Sequence, residues 1–234
     1  MSPQTNNPEH VPRVPSWTTH AVGRSDQGMS CSTPLIDRLH DTLVAAFEDD
    51  PLYRWLFPDP DQRPLAMRDV FALTLESAAA RGTIDIAAEG GAVAVWTEPG
   101  VDLLDDPEPF VQVLRRWAPR RIGPALRGMA ACAVHAPKES RTLHLIGVRP
   151  DLRGTGIGSV LVGPVLQRAD REGTVTSLDS SNPRNLSFYR RHGFEVVAEV
   201  LVADGGPVMR PMHRQPKGGG QGQPWGDDEQ THVR

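Results

Sequence analysis

The run Arg153-Gly154-Thr155-Gly156-Ile157-Gly158 has the residue types and spacing in this chain best suited to chemistry. Glycines let a backbone pass close to an anion, and a helix start just beyond them adds N–H donors that lack partners of their own. Together these suit a pyrophosphate. A glycine-rich run is also an ordinary way to join a strand to a helix, so taken alone it leaves both readings open. It is not a Walker loop, since neither Lys-Ser nor Lys-Thr follows Gly156, and its glycine spacing is wrong for a dinucleotide fingerprint.

Other reactive side chains are sparse. Cys31 and Cys132 make no CxxC pair and have no base beside them in sequence, so they read as free thiols in a reducing compartment. His144 lies in a strand-like run, where a lone histidine is either packed or a spare base. Asp50 precedes Pro51-Leu52-Tyr53-Arg54-Trp55, where an acid either attracts a cationic amine or ends a helix. No metal-ligand spacing stands out, and no metal is expected.

Positioning such a loop needs a strand before it and a helix after it. Residues 142–148 read as that strand, interrupted by Arg149-Pro150-Asp151. A helix follows over about 156–172, with Val160, Leu161, Val165, Leu166 and Ala169 on its buried side and a bend expected at Pro164. Residues 175–178 form the next strand. Asn182-Pro183 supplies a cap and a first-turn proline for a short helix that Gly193 closes, and 194–202 and 207–212 supply the last strands. Upstream, Leu35, Leu39, Leu43, Ala46 and Phe47 recur at helical spacing behind Thr33, a candidate cap, and this helix should end near Asp49-Asp50-Pro51. A helix over about 61–80 and a hairpin of 84–87 with 92–96 around Glu89-Gly90-Gly91 come next. Two helices are expected in 107–135, broken at Gly123-Pro124. The alternation of strands and helices is that of a mixed α/β domain.

The chain has 234 residues, 38% hydrophobic and 23% charged, which fits one globular domain of about 34–213 between polar tails, 1–33 and 214–234, expected to be disordered. A net charge of −4 offers no basic surplus for nucleic acid. No apolar run nears the ~20 residues of a membrane span, and residues 1–15 lack a secretory pattern, so a cytoplasmic location is the default expectation.

Ile146-Gly147-Val148, Arg149-Pro150 and then Arg153-x-x-Gly156-x-Gly158 resemble the acyl-CoA signature of the GNAT superfamily. Some thirty residues on, Asn185-Leu186-Ser187-Phe188-Tyr189 and Gly193-Phe194 resemble its second landmark. The segments 92–97, 137–139, 183–186 and Ala45-Ala46-Phe47 are similar to the puromycin N-acetyltransferases, so the likeness spans about residues 43–213. The usual first strand is hard to find before Leu35; Met29 to Thr33 is the candidate.

The resemblance implies a mostly antiparallel central sheet with helices on both faces, and direct acetyl transfer from acetyl-CoA to a small-molecule primary amine, as in antibiotic resistance. It implies that N–H groups of Arg153, Gly154, Thr155, Gly156, Ile157 and Gly158 hold the CoA pyrophosphate. The main chain of Ile146, Gly147 and Val148 would pair with the pantetheine arm, and the Val148 N–H would polarise the thioester carbonyl. Asn185 would bond that arm or a backbone group. Tyr189 becomes the general acid for the departing sulfur, and Asp179 the base, acting directly or through water, unless it only caps local backbone. At Asp50 the resemblance leads one to expect a tyrosine, so the acceptor pocket differs. A protein or peptide amine is the alternative acceptor, and a non-catalytic acyl-CoA module the alternative class. Tyr189 with Asp179 speaks against the module. A monomer or homodimer is expected.

Overall fold

The computed structural model describes residues 20–22, 33–203 and 205–218. Its chain order is β1 (His20–Val22), α1 (Thr33–Phe47), α2 (Pro51–Leu56), α3 (Arg63–Arg81), β2 (Thr83–Ala87), β3 (Ala92–Thr97), α4 (Glu108–Trp117), α5 (Ile122–Ala133), β4 (Ser140–Val148), α6 (Ile157–Glu172), β5 (Val175–Ser180), α7 (Leu186–Arg191), β6 (Glu195–Val196), β7 (Val200–Leu201) and β8 (Val208–Arg214). The sheet runs β1-β2-β3-β4-β5-β8-β6, with β7 also paired to β8. Every pairing is antiparallel except β4 with β5, which α6 joins as a crossover.

Alternation along the strands assigns each side chain to one of two cores. In β3, Val93 and Val95 face the side covered by α1 to α5, where Leu43, Phe71 and Leu114 are fully buried. Ala92, Ala94 and Trp96 face the other side, against Ile157, Leu161 and Leu166 of α6 and Tyr189 of α7. Helices cover both faces, as expected of the mixed α/β class.

The structure corrects several sequence expectations. The helix end at Asp49-Asp50-Pro51 is also the start of α2: Asp50 caps it, accepting from the Leu52 N–H at 2.9 Å, and Pro51 occupies the first turn. The break in 107–135 falls at Ala118 and the short 3-10 turn Pro119–Arg121, because Gly123 and Pro124 sit in the first turn of α5. A proline there removes no helical hydrogen bond, since first-turn N–H groups have no partner four residues back. The sheet's first strand is His20–Val22, pairing with β2, inside the stretch read as a tail. Of the alternative, Met29 to Thr33, only Thr33 lies within the described residues, and it opens α1. At the other end Arg214, buried, donates to Asp170 at 2.7 Å.

Candidate active site

β4 and β5 pair only from Ser140↔Val175 to Leu143↔Leu178. Both strands then continue unpaired with each other, β4 to Val148 and β5 to Ser180. The separation begins at a register shift on β4: Val95 faces Leu145 and Trp96 faces Leu143, so His144 is an extra residue in the strand. Such a bulge bends its strand. Beyond it, the Arg149 N–H donates to Gly91 O on the β3 side at 2.9 Å. Because main-chain groups alternate along a strand, those of Ile146 and Val148 point the opposite way, to the edge that β5 has left. Gly147 is where β4 lies closest to α1: a Cβ there would come within 2.8 Å of the Leu43 side chain.

The expected anion loop follows that edge. Gly154 and Gly156 take left-handed backbone, φ +78° and +86°, and a Cβ on either would meet nothing within 4 Å. Their main chain therefore faces open space at the head of α6, as a cradle for a pyrophosphate requires. The Arg153 guanidinium turns elsewhere, donating to Ala46 O at 3.0 Å and fastening the loop to α1. Thr155 Oγ1 closes the turn onto Leu152 O at 2.7 Å. Gly158 lets α6 approach α7, since a Cβ would lie 3.2 Å from Phe188.

These groups line a cleft of about 720 Å³ that reaches from the loop to Asn185 and Tyr189. A small hollow of about 30 Å³ adjoins it between the separated strands, lined by His144, Asp179, Ser180 and Ser181 among others. Phe47, Asp50, Ile146, Asn185 and Tyr189 border both. The predicted Ile146, Asn185 and Tyr189 thus converge, with Asp179 in the adjoining hollow. Asn185 is the residue before α7, which starts behind the Asn182 side chain that caps Arg184 N at 3.0 Å. The cleft's dimensions, open main-chain edge and glycine cradle fit an acyl-CoA.

Tyr189 is buried, and its pKa lies above the ordinary phenol value of about 10, chiefly from burial and then from the Asp50 charge. Asp179 is exposed at the hollow yet has protein on most sides. That partial desolvation raises its pKa, with His135 acting the other way. His144 is pushed down to about 4 by desolvation against a smaller opposing effect of Asp102, and its ring bonds Thr97 Oγ1 at 2.9 Å. It is neutral at pH 7. Cys132 is buried, with its thiol pushed up to about 12, which keeps it unreactive. Cys31 lies outside the described residues.

Sequence reasoning missed Ser181, whose hydroxyl reaches both Asp50 oxygens at 2.7 Å. The partners are 131 residues apart, and no local pattern links them. Among the described residues no group of three or more metal-ligating side chains converges, and no helix is long and apolar enough to cross a membrane.

The family model for the acetyltransferase (GNAT) family matches residues 78–194. The L-methionine sulfoximine/L-methionine sulfone acetyltransferase of Pseudomonas aeruginosa is 28% identical over 123 residues, 48% of this chain and 72% of that protein. A Corynebacterium glutamicum structure, described as histone acetyltransferase HPA2 and related acetyltransferase, is 27% identical with a TM-score of 0.59, covering 80% of this chain and 94% of its own. The arylalkylamine N-acetyltransferase 2 of Aedes aegypti shares the fold, at 13% identity and a TM-score of 0.54 over 86% of this chain and 99% of its own.

Proposed function

The chain belongs to the acetyltransferase (GNAT) family and is an acyl-CoA-dependent N-acetyltransferase; from that premise we propose that it moves acetyl from acetyl-CoA directly to a small-molecule primary amine. The acceptor we favour is an aminonucleoside of the puromycin type or a related amine, which would make the enzyme an antibiotic-modifying one acting in the cytoplasm. The observation that carries the reading is the meeting of the long cleft with the hollow between β4 and β5, bordered by Tyr189 and Asn185.

When bound, acetyl-CoA supplies the thioester and its thiol leaving group. The main-chain N–H groups of Gly154, Gly156, Ile157 and Gly158 hold the pyrophosphate, those of Arg153 and Thr155 donating instead to Pro150 O and Leu152 O, and the free edges of Ile146 and Val148 align the arm, helped by the Asn185 side chain. The Val148 N–H steadies negative charge on the carbonyl oxygen. Tyr189, kept protonated by burial, gives its proton to the departing sulfur. Asp179, its basicity raised by desolvation, receives a proton from the amine through water.

Thiol release is the test, measured with acetyl-CoA and a panel of amines: puromycin, L-methionine sulfoximine, L-methionine sulfone, phenethylamine and a basic peptide. Release with at least one small amine supports the proposal. Release only with a basic peptide would move the acceptor to proteins, the second reading that the description of the Corynebacterium structure favours. No release with any of them would end it.

A further inference from the structure

Asp50 is a buried carboxylate, 4% exposed, and among the described residues no Lys, Arg or His lies within ion-pair distance of it. Burying a charge without a cation is costly. Capping α2 does not account for that cost, since a neutral Asn, Ser or Thr caps as well. Its partners are the Leu52 N–H, which donates to Oδ1, one Ser181 hydroxyl shared by Oδ1 and Oδ2, and the Tyr53 N–H directed at the same carboxylate. One hydroxyl hydrogen cannot satisfy both oxygens, so Oδ2 keeps acceptor capacity. Asp50 also borders both the cleft and the hollow, where acyl carbon and amine have to meet.

We infer that Asp50 is the docking anion and first proton acceptor for the amine, so that the enzyme selects acceptors that arrive as ammonium ions. This rests on the N-acetyltransferase reading above. The ammonium loses one proton to Asp50, which passes it to water. The freed lone pair forms the N–C bond, the C–S bond breaks, and the sulfur takes the Tyr189 proton. The tyrosinate recovers the second nitrogen proton through water. Asp179 then serves as the outer relay from the hollow to solvent.

The test is Asp50→Asn, which keeps the cap and the Ser181 bond and removes only the charge. Tyr53 of α2 and Tyr189 of α7 face Asp50 and stay protonated, held up by burial. His144 on β4 is neutral, and Asp179 on β5, Glu48 and Asp49 of the α1 end, Arg54 of α2 and Arg184 complete the charged surroundings. With the panel amine that wild type acetylates best, kcat/KM should fall about 100-fold or more near neutral pH. The deficit should shrink as pH rises from about 6.5 to 9 and more amine arrives unprotonated. Acetyl-CoA affinity should stay at the wild-type value, and Tm should hold or rise, since the variant removes a buried charge that has no cation beside it. A variant within about threefold of wild type, or a loss that is constant with pH, overturns the assignment. Failure of the underlying reading shows separately, as a wild type that binds acetyl-CoA but releases no thiol, and it overturns this assignment too.

Discussion

Tyr189→Phe removes one oxygen from the place where cleft and hollow meet. Its structural cost is small. The ring packs edge-on against Phe188 at 5.4 Å and Phe194 at 6.1 Å between centroids, and phenylalanine keeps both contacts. The influences on the hydroxyl are burial and the Asp50 charge, with no hydrogen bond among them. Losing it should change stability by less than about 1 kcal/mol, or roughly 2–4 °C in Tm for a domain of this size. The catalytic cost is larger, because a positioned proton donor contributes about 10²–10⁴-fold. In a thiol-release assay with the best panel amine, kcat should fall by that factor while KM for acetyl-CoA stays within about twofold. Both effects on the phenol act upward, so it keeps its proton across about pH 6–9 and contributes no alkaline fall in kcat there. A kcat within about threefold of wild type would refute the reasoning, and so would a Tm loss large enough to show that the hydroxyl holds the fold.

Gly147→Ala tests how closely β4 lies on α1. The new Cβ falls 2.8 Å from Leu43, itself fully buried, so overpacking should cost about 1–3 kcal/mol, read as a lower midpoint in urea. Asp85→Asn tests the opposite face. Asp85 is buried in β2 with Oδ2 unpartnered, and burial raises its pKa to about 6 against the smaller opposing effect of Arg168. A raised carboxyl penalises the folded state in full above its folded pKa, and the penalty fades as pH falls from there to the unfolded value of about 4. The variant should therefore be more stable than wild type by about 1–3 kcal/mol near pH 8, with the gap narrowing below about pH 6 and closing near pH 4 in thermal melts. A gap that does not vary with pH would contradict the assignment.

The half of the fold from β4 to α7 was legible because chemistry and punctuation coincide there. Gly154 and Gly156 need open, left-handed backbone, and Asn182-Pro183 marks a helix start. The same cap-and-proline signal stood at Asp50-Pro51, where it read as a stop because a helical period ran up to it; α1 ends and α2 begins within the same few residues. The bulge at His144 was not legible, since an extra residue in one strand appears only against its partner. Nor was the Asp50–Ser181 contact, which the sheet and α2 create between residues distant in sequence. The pattern located the cofactor side of the cleft, where main-chain geometry does the binding. It left the acceptor side open, because side chains from separate elements build it.

Backbone amide exchange along β4, read by NMR with and without acetyl-CoA, tests most directly that the open β4 edge is the acyl-CoA site. In the free enzyme the Ile146 and Val148 amides should exchange faster than those of Leu145 and Gly147, whose groups face β3. Acetyl-CoA should slow Ile146 and Val148 and shift the Gly154, Thr155 and Gly156 amide signals while leaving Leu145 unchanged. Binding that leaves Ile146, Val148 and the Gly154–Gly156 amides as they were would place the acyl-CoA elsewhere.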